Sequence, residues 1–318
     1  MRVIYFGTPA FSVPSLAHLL DRHDVAAVVT RPDKARGRGH KVRPGPVKAL
    51  AEAHHVPVLQ PDRLGEPEWL QQVAALRADI AVVAAYGRLL PQALLDLPRL
   101  GFINVHASLL PRWRGAAPIH RAVMAGDAST GVTIMRVVLA LDAGPMLAAR
   151  STRIEANDTS QSLEARLAVI GAELLIWTMA QLEAGLVTQT PQDESAVTYA
   201  PRLERHESRI DWRRPASVVD CRIRGLQPWP LAAGIIAGKR VAFLQSSVVD
   251  SPAPDAPPGT IVSATGGGLV IACDPGAVRI TQVLPDGRRP MAFSAFLNGT
   301  PVAEGGVVSP LPATDAGP

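Results

Sequence analysis

Short apolar runs alternate with amphipathic stretches through the first ~180 residues of the chain. The apolar runs are Val3–Phe6, Val25–Thr30, Ile80–Tyr86, Phe102–Val105 and Val132–Val138. Each is rich in Val, Ile or aromatic residues and has the length of a buried strand. Between them, Val13–Leu20, Pro46–His54, Glu66–Ala78 and Ala117–Met124 carry helical patterns. This alternation predicts a Rossmann-like α/β domain, a mostly parallel sheet with helices on both faces. The first strand runs into Gly7-Thr8-Pro9 rather than GxGxxG, so the dinucleotide fingerprint is missing.

A long helix is predicted from about Ser160 to Ala184. Leu163, Leu167, Ile170, Leu174, Met179 and Leu182 follow helical spacing, Asp158 and Thr159 are candidate caps, and Gly185 is a stop signal. The stretch from Leu186 to His206 is polar and without clear period, which reads as an extended linker. Beyond it lie Leu231–Ile236, Arg240–Leu244, Gly259–Val262, Gly268–Cys273 and Ala277–Val283, short β-like runs separated by Gly and Pro. They predict a small β-barrel of the OB-like kind. The expected layout is a catalytic domain over 1–187, a linker over 188–206, a barrel over 207–305 and a disordered Gly/Pro/Ala-rich tail over 306–318.

Composition narrows the class. Hydrophobic residues make up 47% of the 318 and charged residues only 19%, which supports a sizeable core and argues against a disordered chain. No apolar run approaches the ~18–20 residues of a membrane span. The opening MRVIYFGTP is too short in apolar residues for a signal peptide and fits a first buried strand. The cysteines, Cys221 and Cys273, form no CxxC pair or Cys/His cluster, so no metal is expected. The cytoplasm is the expected compartment, and nothing demands more than a monomer. Net charge is +4 but unevenly placed. Between Arg31 and Lys48, seven basic residues face Asp33 alone, so this one segment carries more than the whole excess.

The candidate chemistry starts at Asn104-Val105-His106. On a strand, residues two apart share a face, so Asn104 and His106 project together from its C-terminal end. In open α/β sheets the ligand crevice lies outside those ends. An amide donor beside an imidazole suits a carbonyl reaction. The amide holds a developing oxyanion, and the imidazole holds it too or moves a proton. A lone NxH is weak evidence. The following Ser108-Leu109-Leu110-Pro111-Arg112-Trp113-Arg114-Gly115 is more distinctive. It joins a proline-fixed turn to a tryptophan flanked by two arginines, and reads as a ligand-shaping loop with two anion-seeking guanidiniums.

INVHASLLPRWRGAAP, Ile103 to Pro118, resembles the active-site segment of the folate-dependent formyltransferases, and within them the methionyl-tRNA formyltransferase family. The resemblance runs from about residue 1 to 300, through RVIYFGTPAFSVPSL, RPDKARGRGHKVRPGPVKALA, AYG at Ala85–Gly87, GVTIM, VTYA, RIDW and PWP. It implies that Asn104, His106 and the Asp of Leu141-Asp142-Ala143-Gly144, Asp142, are catalytic. It also implies folate contacts at Ser108, Leu109, Leu110 and Pro111 and at Ala85, Tyr86 and Gly87. The formyl donor would be 10-formyltetrahydrofolate and the acceptor the methionyl amine of initiator tRNA. The basic loop, with Arg36, Arg38, His40, Lys41 and Arg43, would meet the acceptor end of that tRNA. Its charge and its glycines suit phosphate contact.

Read from the residues alone, an Asp in an isolated LDAG is more often a turn former than a catalytic group. The chain has LDAGP where the family often has LDTGD, and Gly225-Leu226-Gln227 precedes PWP. From residue 206 on, ten Lys/Arg face nine Asp/Glu, so the C-terminal domain is barely basic overall. A formyltransferase acting on a small amine, such as an amino-sugar nucleotide, is the alternative. The basic loop and the barrel-like tail argue against it.

Overall fold

A computed structural model describes residues 1–33, 35–36, 41–42, 44–249 and 255–312; residues 35–36 and 41–42 are described by their backbone. In chain order the first elements are β1 (Arg2–Gly7), α1 (Val13–Leu20), β2 (Asp24–Val29), β3 (Ala35–Arg36), β4 (Lys41–Val42), α2 (Pro46–Ala53) and β5 (Val58–Leu59). Next come α3 (Pro67–Ala75), β6 (Ile80–Ala84), α4 (Gln92–Leu95), β7 (Phe102–His106), β8 (Arg114–Gly115) and α5 (Pro118–Met124). They are followed by β9 (Ser129–Arg136), β10 (Met146–Arg153), α6 (Ser160–Glu183) and β11 (Tyr199–Ala200). The chain continues with α7 (Ala216–Gly225), β12 (Ala233–Ile236), β13 (Lys239–Val248), β14 (Ile261–Thr265), β15 (Gly268–Ala272), β16 (Ala277–Pro285), β17 (Met291–Ala292) and α8 (Phe293–Gly299).

Two compact units result. The first comprises Met1–Pro118, Ser129–Thr152 and Glu164–Ala200. The second comprises Ile119–Ala128, Arg153–Leu163 and the chain from Pro201 on. The division is therefore discontinuous, unlike the single break expected around 188–206.

The first unit is built on a seven-stranded sheet of order β10-β9-β7-β6-β1-β2-β5. The pairs β1/β2, β1/β6, β2/β5 and β6/β7 are parallel, and β9 returns antiparallel to β7. The sequence predicts the mostly parallel sheet correctly. Near-continuous burial of β1 and β2 explains why: strands covered on both faces need apolar residues at every position. Phe6, Tyr86 and Phe102 pack where β1, β6 and β7 lie side by side, with Phe6 5.4 Å from each of the other two rings. Register places Gly7 beside Ala84, and Val83 beside Asn104. The carboxyl ends of the three central strands thus open onto one edge, which is the side an α/β sheet offers to ligands.

The second unit carries a six-stranded antiparallel sheet of order β12-β13-β16-β15-β14, with β17 on β16. The expected disordered tail is corrected over 306–312. Val307 bridges Thr260 and Ser309 bridges Ile235, so this segment lies between the start of β14 and β12 and closes the sheet into a barrel. Val308 and Leu311 are buried. Alternate burial of Val308 and exposure of Val307 and Ser309 is the strand pattern, hidden in the sequence by the surrounding Gly, Pro and Ala. Helices α7 and α8 also escape the sequence reading, because each is short and interrupts a β-rich region. Among the described residues no helix is long and apolar enough to cross a membrane.

Candidate active site

Strand β7 delivers Asn104 and His106 to the open edge of the first unit. Asn104 sits between Val83 of β6 and Met135 of β9, and His106 opposite Thr133 of β9. His106 is buried, and its Nε2 lies 2.9 Å from the carbonyl oxygen of Trp113. A carbonyl only accepts, so Nε2 carries the proton and Nδ1 is the nitrogen left for chemistry. Nδ1 faces Asp142 Oδ2 at 3.7 Å. That same oxygen accepts the backbone N–H of Gly115 at 2.9 Å. The structure therefore brings His106 and Asp142 together from different strand ends. It leaves between them a gap wider than a direct hydrogen bond.

The loop after β7 is fixed by its own polar groups. Ser108 is fully buried, and its hydroxyl donates to the carbonyl of Arg112 at 2.6 Å. Thr133 Oγ1 donates to the carbonyl of Ser108 and accepts the backbone N–H of Leu110. Ser108 thus holds the loop together from inside. Leu109 and Pro111 are partly exposed, whereas Leu110 is buried. Arg112 lays its guanidinium over the Trp113 ring, 4.4 Å from the centroid. Arg114 is only 3% exposed, with Nε donating to Gln192 and its terminal nitrogens to Glu194. The expectation of two anion-seeking arginines is corrected for Arg114. Its charge is met by the exposed carboxylate of Glu194 and the buried amide of Gln192, so it is part of the scaffold.

The segment expected as a linker is corrected too. Thr198 Oγ1 accepts the N–H of Trp113, the Thr198 carbonyl accepts that of Arg114, and β11 pairs with β8 in parallel. Gln192 Nε2 donates to the carbonyls of Asp142 and Gly144, each at 2.8 Å. Polar residues without period look like a linker in the sequence because their partners are backbone groups, which leave no hydrophobic pattern. Gly115 packs so tightly on β11 that a Cβ would lie 2.7 Å from the Ala200 carbonyl oxygen.

Of the AYG residues, Ala85 and Gly87 are exposed beyond the end of β6, both at positive φ. Tyr86, the third of the expected folate contacts here, turns its side chain inward. Its ring is buried edge-on to Phe6, in a cluster that also holds Trp69 and Leu90, and burial pushes its hydroxyl pKa up. Alternation along the chain sends Tyr86 into the core and its neighbours outward. Sequence reasoning did not single out a set of exposed apolar side chains. Val138, Leu139 and Leu141 immediately precede Asp142 and are exposed, as is Leu89. Their chain neighbours Val137 and Leu90 share one buried cluster. Exposed large apolar side chains clustered before an acidic residue are the signal that would have found them.

In the basic loop, Arg36 and Lys41 are register partners in the antiparallel β3/β4 pair. Arg38, His40 and Arg43 lie outside the described residues. At the loop's root Lys48 donates to Asp33 and to Gln60, and the lysine hydrogen bond holds the Asp33 carboxyl below its usual range. Among the described residues no group of three or more His, Cys, Asp or Glu is placed to hold a metal ion.

Residues 1–179 match the family model described as formyl transferase, and residues 202–301 the one described as formyl transferase, C-terminal domain. The chain is 49% identical to a protein of Methylococcus capsulatus named methionyl-tRNA formyltransferase, over 95% of this chain and 98% of that one. A protein of Paracoccus denitrificans with the same name is 49% identical over 94% of this chain and 97% of its own. Among solved structures, WlaRD, a sugar 3N-formyl transferase, shares the fold with a TM-score of 0.68 at 14% identity, covering 91% of this chain and 99% of that one. HypX from Aquifex aeolicus, solved with tetrahydrofolic acid, has a TM-score of 0.61 at 18% identity, and the match spans 93% of this chain but only 47% of HypX. With both of its units matched, this chain belongs to the formyl transferase family.

Proposed function

We infer that this protein moves the formyl group of 10-formyltetrahydrofolate to the α-amino group of methionine carried by initiator tRNA. The observation that carries the reading is similarity of 49% across 95% of the chain, both units included, to a protein named for that reaction. A relative sharing only the catalytic half would leave the acceptor open.

The following site chemistry is proposed on the basis of this geometry. The unprotonated methionyl amine attacks the formyl carbon on folate N10. The amide of Asn104 donates to the oxyanion that forms. His106 donates its Nε2 proton to the Trp113 carbonyl, so it meets the substrate through Nδ1. The protonated ring donates from Nδ1 to the oxyanion, and the Asp142 carboxylate 3.7 Å away is its counter-charge. Asp142 also takes, through water, the proton that the attacking nitrogen sheds. A proton returned to N10 lets the carbon–N10 bond break and tetrahydrofolate leave. No covalent enzyme intermediate is needed, and holding two substrates in line supplies much of the rate. The exposed apolar side chains of Leu89, Val138, Leu139 and Leu141 would give the flat donor surface to pack on.

The basic loop supplies phosphate contacts for the tRNA. The protein acts in the cytoplasm, as a monomer. A transfer assay with 10-formyltetrahydrofolate and charged initiator tRNA tests the reading. Formyl-methionyl-tRNA is the expected product. Transfer only to a small amine, such as an amino-sugar nucleotide, would overturn it.

A further inference from the structure

We propose that Gln192 is a positioning residue for Asp142, clamping the turn that aims the carboxylate at His106. The inference rests on the reading of Asp142 as catalytic.

The amide of Gln192 is buried and wholly used. Oε1 accepts from Arg114 Nε at 2.9 Å, and Nε2 donates to the carbonyls of Asp142 and Gly144 at 2.8 Å each. The partners fix the orientation of the amide, since a guanidinium only donates and carbonyls only accept. No other uncharged side chain of this length presents an acceptor on one side and two donors on the other.

Asp142 needs such a clamp. It is a non-glycine residue at φ 48°, in the left-handed region that costs a Cβ-bearing residue energy. It follows four exposed residues, 138–141, that give its turn no packing on that side. Its backbone carbonyl is held by Gln192 and its carboxylate by the N–H of Gly115. Gly115 is itself the residue after Arg114. One buried guanidinium–amide unit therefore sets both anchors of Asp142, the carbonyl through Gln192 and the carboxylate through β8. An Asp freed to relax by an ångström loses its aim at Nδ1, and misplacement of that size costs turnover rather than binding.

The test is steady-state kinetics of the full chain with Gln192→Ala, Gln192→Glu and Asp142→Ala, singly and with Gln192→Ala combined with Asp142→Ala. Gln192→Glu keeps the volume and the Arg114 contact while turning two donors into acceptors that face carbonyl oxygens. It separates clamping from space filling, and folding of each variant is checked by its thermal unfolding midpoint. Expected is a fall in kcat of about 10- to 100-fold in both Gln192 variants, with KM for either substrate changed less than about threefold. In the double variant, the Gln192 change is expected to add nothing to the loss from Asp142→Ala, because it acts through that residue. Parent-like kcat in Gln192→Glu, or multiplying losses in the double variant, would overturn the clamp while leaving Asp142 catalytic. Parent-like kcat in Asp142→Ala would instead remove the catalytic reading of Asp142 and the inference with it.

Discussion

His106 Nε2 lies 2.9 Å from the Trp113 carbonyl oxygen, so the imidazole is held by the same loop that carries the tryptophan. The ring cannot rotate without losing that bond, and Nδ1 is left facing Asp142. In the proposed mechanism, removing the ring or the neighbouring amide removes an oxyanion donor, worth about 10²–10³ in turnover. His106→Ala and Asn104→Ala are each expected to lose that much kcat while binding initiator tRNA as the parent does. Single-turnover transfer and a mobility-shift titration measure the two quantities. Near-parent turnover in both variants would refute the assignments.

Gly144 offers a second, purely steric prediction. A Cβ there would sit 1.9 Å from the carbonyl oxygen of Arg136. Neither side can give way freely, because Arg136 donates its N–H to Pro145 and Gln192 holds the Gly144 carbonyl. Gly144→Ala must therefore displace the turn that carries Asp142. A destabilisation of about 1–3 kcal/mol is expected, as for other overpacked sites, with loss of most activity. Gly65, where an added Cβ would meet nothing within 4 Å, is the control, and Gly65→Ala should behave as the parent. Urea unfolding and the transfer assay decide it.

How much of this is legible in the sequence depends on what holds each part. The parallel sheet is, because β1, β2 and β6 are apolar at nearly every position. Asn104 and His106 are, because a period of two puts them on one face at a strand end. The role of 188–200 is not. Gln192, Thr198 and Ala200 act on backbone carbonyls and N–H groups of distant loops, and such contacts impose no periodicity. Arg114 misleads for the opposite reason. A guanidinium in a loop looks anion-seeking until its partners within the chain, the Gln192 amide and the exposed Glu194 carboxylate, are known. Ser108 and Tyr86 sit in the expected loops, but their side chains point into the protein.

The barrel's closing segment gives a stability prediction. Val308 is 1% exposed and Leu311 4%, and full burial of such side chains contributes about 1.5–3 kcal/mol each. Ending the chain after Glu304 also leaves the outer groups of Ile235 and Ile261 without the Ser309 and Gly306 partners. The truncated chain is expected to unfold at clearly lower urea, and Val308→Ala with Leu311→Ala to fall between it and the parent. An unchanged midpoint in the truncated chain would show that the segment contributes nothing to the barrel.

Arg121 and Glu207, both in the second unit, give a pH prediction. Burial raises the Glu207 carboxyl pKa, but the hydrogen bonds from Arg121 and from the Glu204 backbone outweigh it and leave the net value lowered. A carboxyl depressed in the folded state contributes stability above its unfolded value near 4.3, and that contribution is lost as pH falls toward the folded value. Glu207→Gln should therefore destabilise the protein at pH 7 and do so less as pH is lowered through the carboxylate range. Equal destabilisation at pH 7 and at pH 4 would show that the ion pair is not the source.

The basic segment predicts a salt signature. Arg36 and Lys41 are register partners in the β3/β4 pair, and Arg38 belongs to the stretch between them. If three phosphates are met there, replacing these residues by Ala should reduce the slope of log affinity against log salt by about 2–3. Affinity for initiator tRNA would fall most at low salt, where counterion release contributes most. Transfer at saturating tRNA should be far less affected, because the proposed chemical step rests on Asn104, His106 and Asp142. A triple variant that loses affinity with an unchanged slope would mean that the loop shapes the site without meeting phosphate. One that loses neither would return the tRNA contacts to the arginines early in the C-terminal domain, at Arg209, Arg213, Arg214, Arg222 and Arg224.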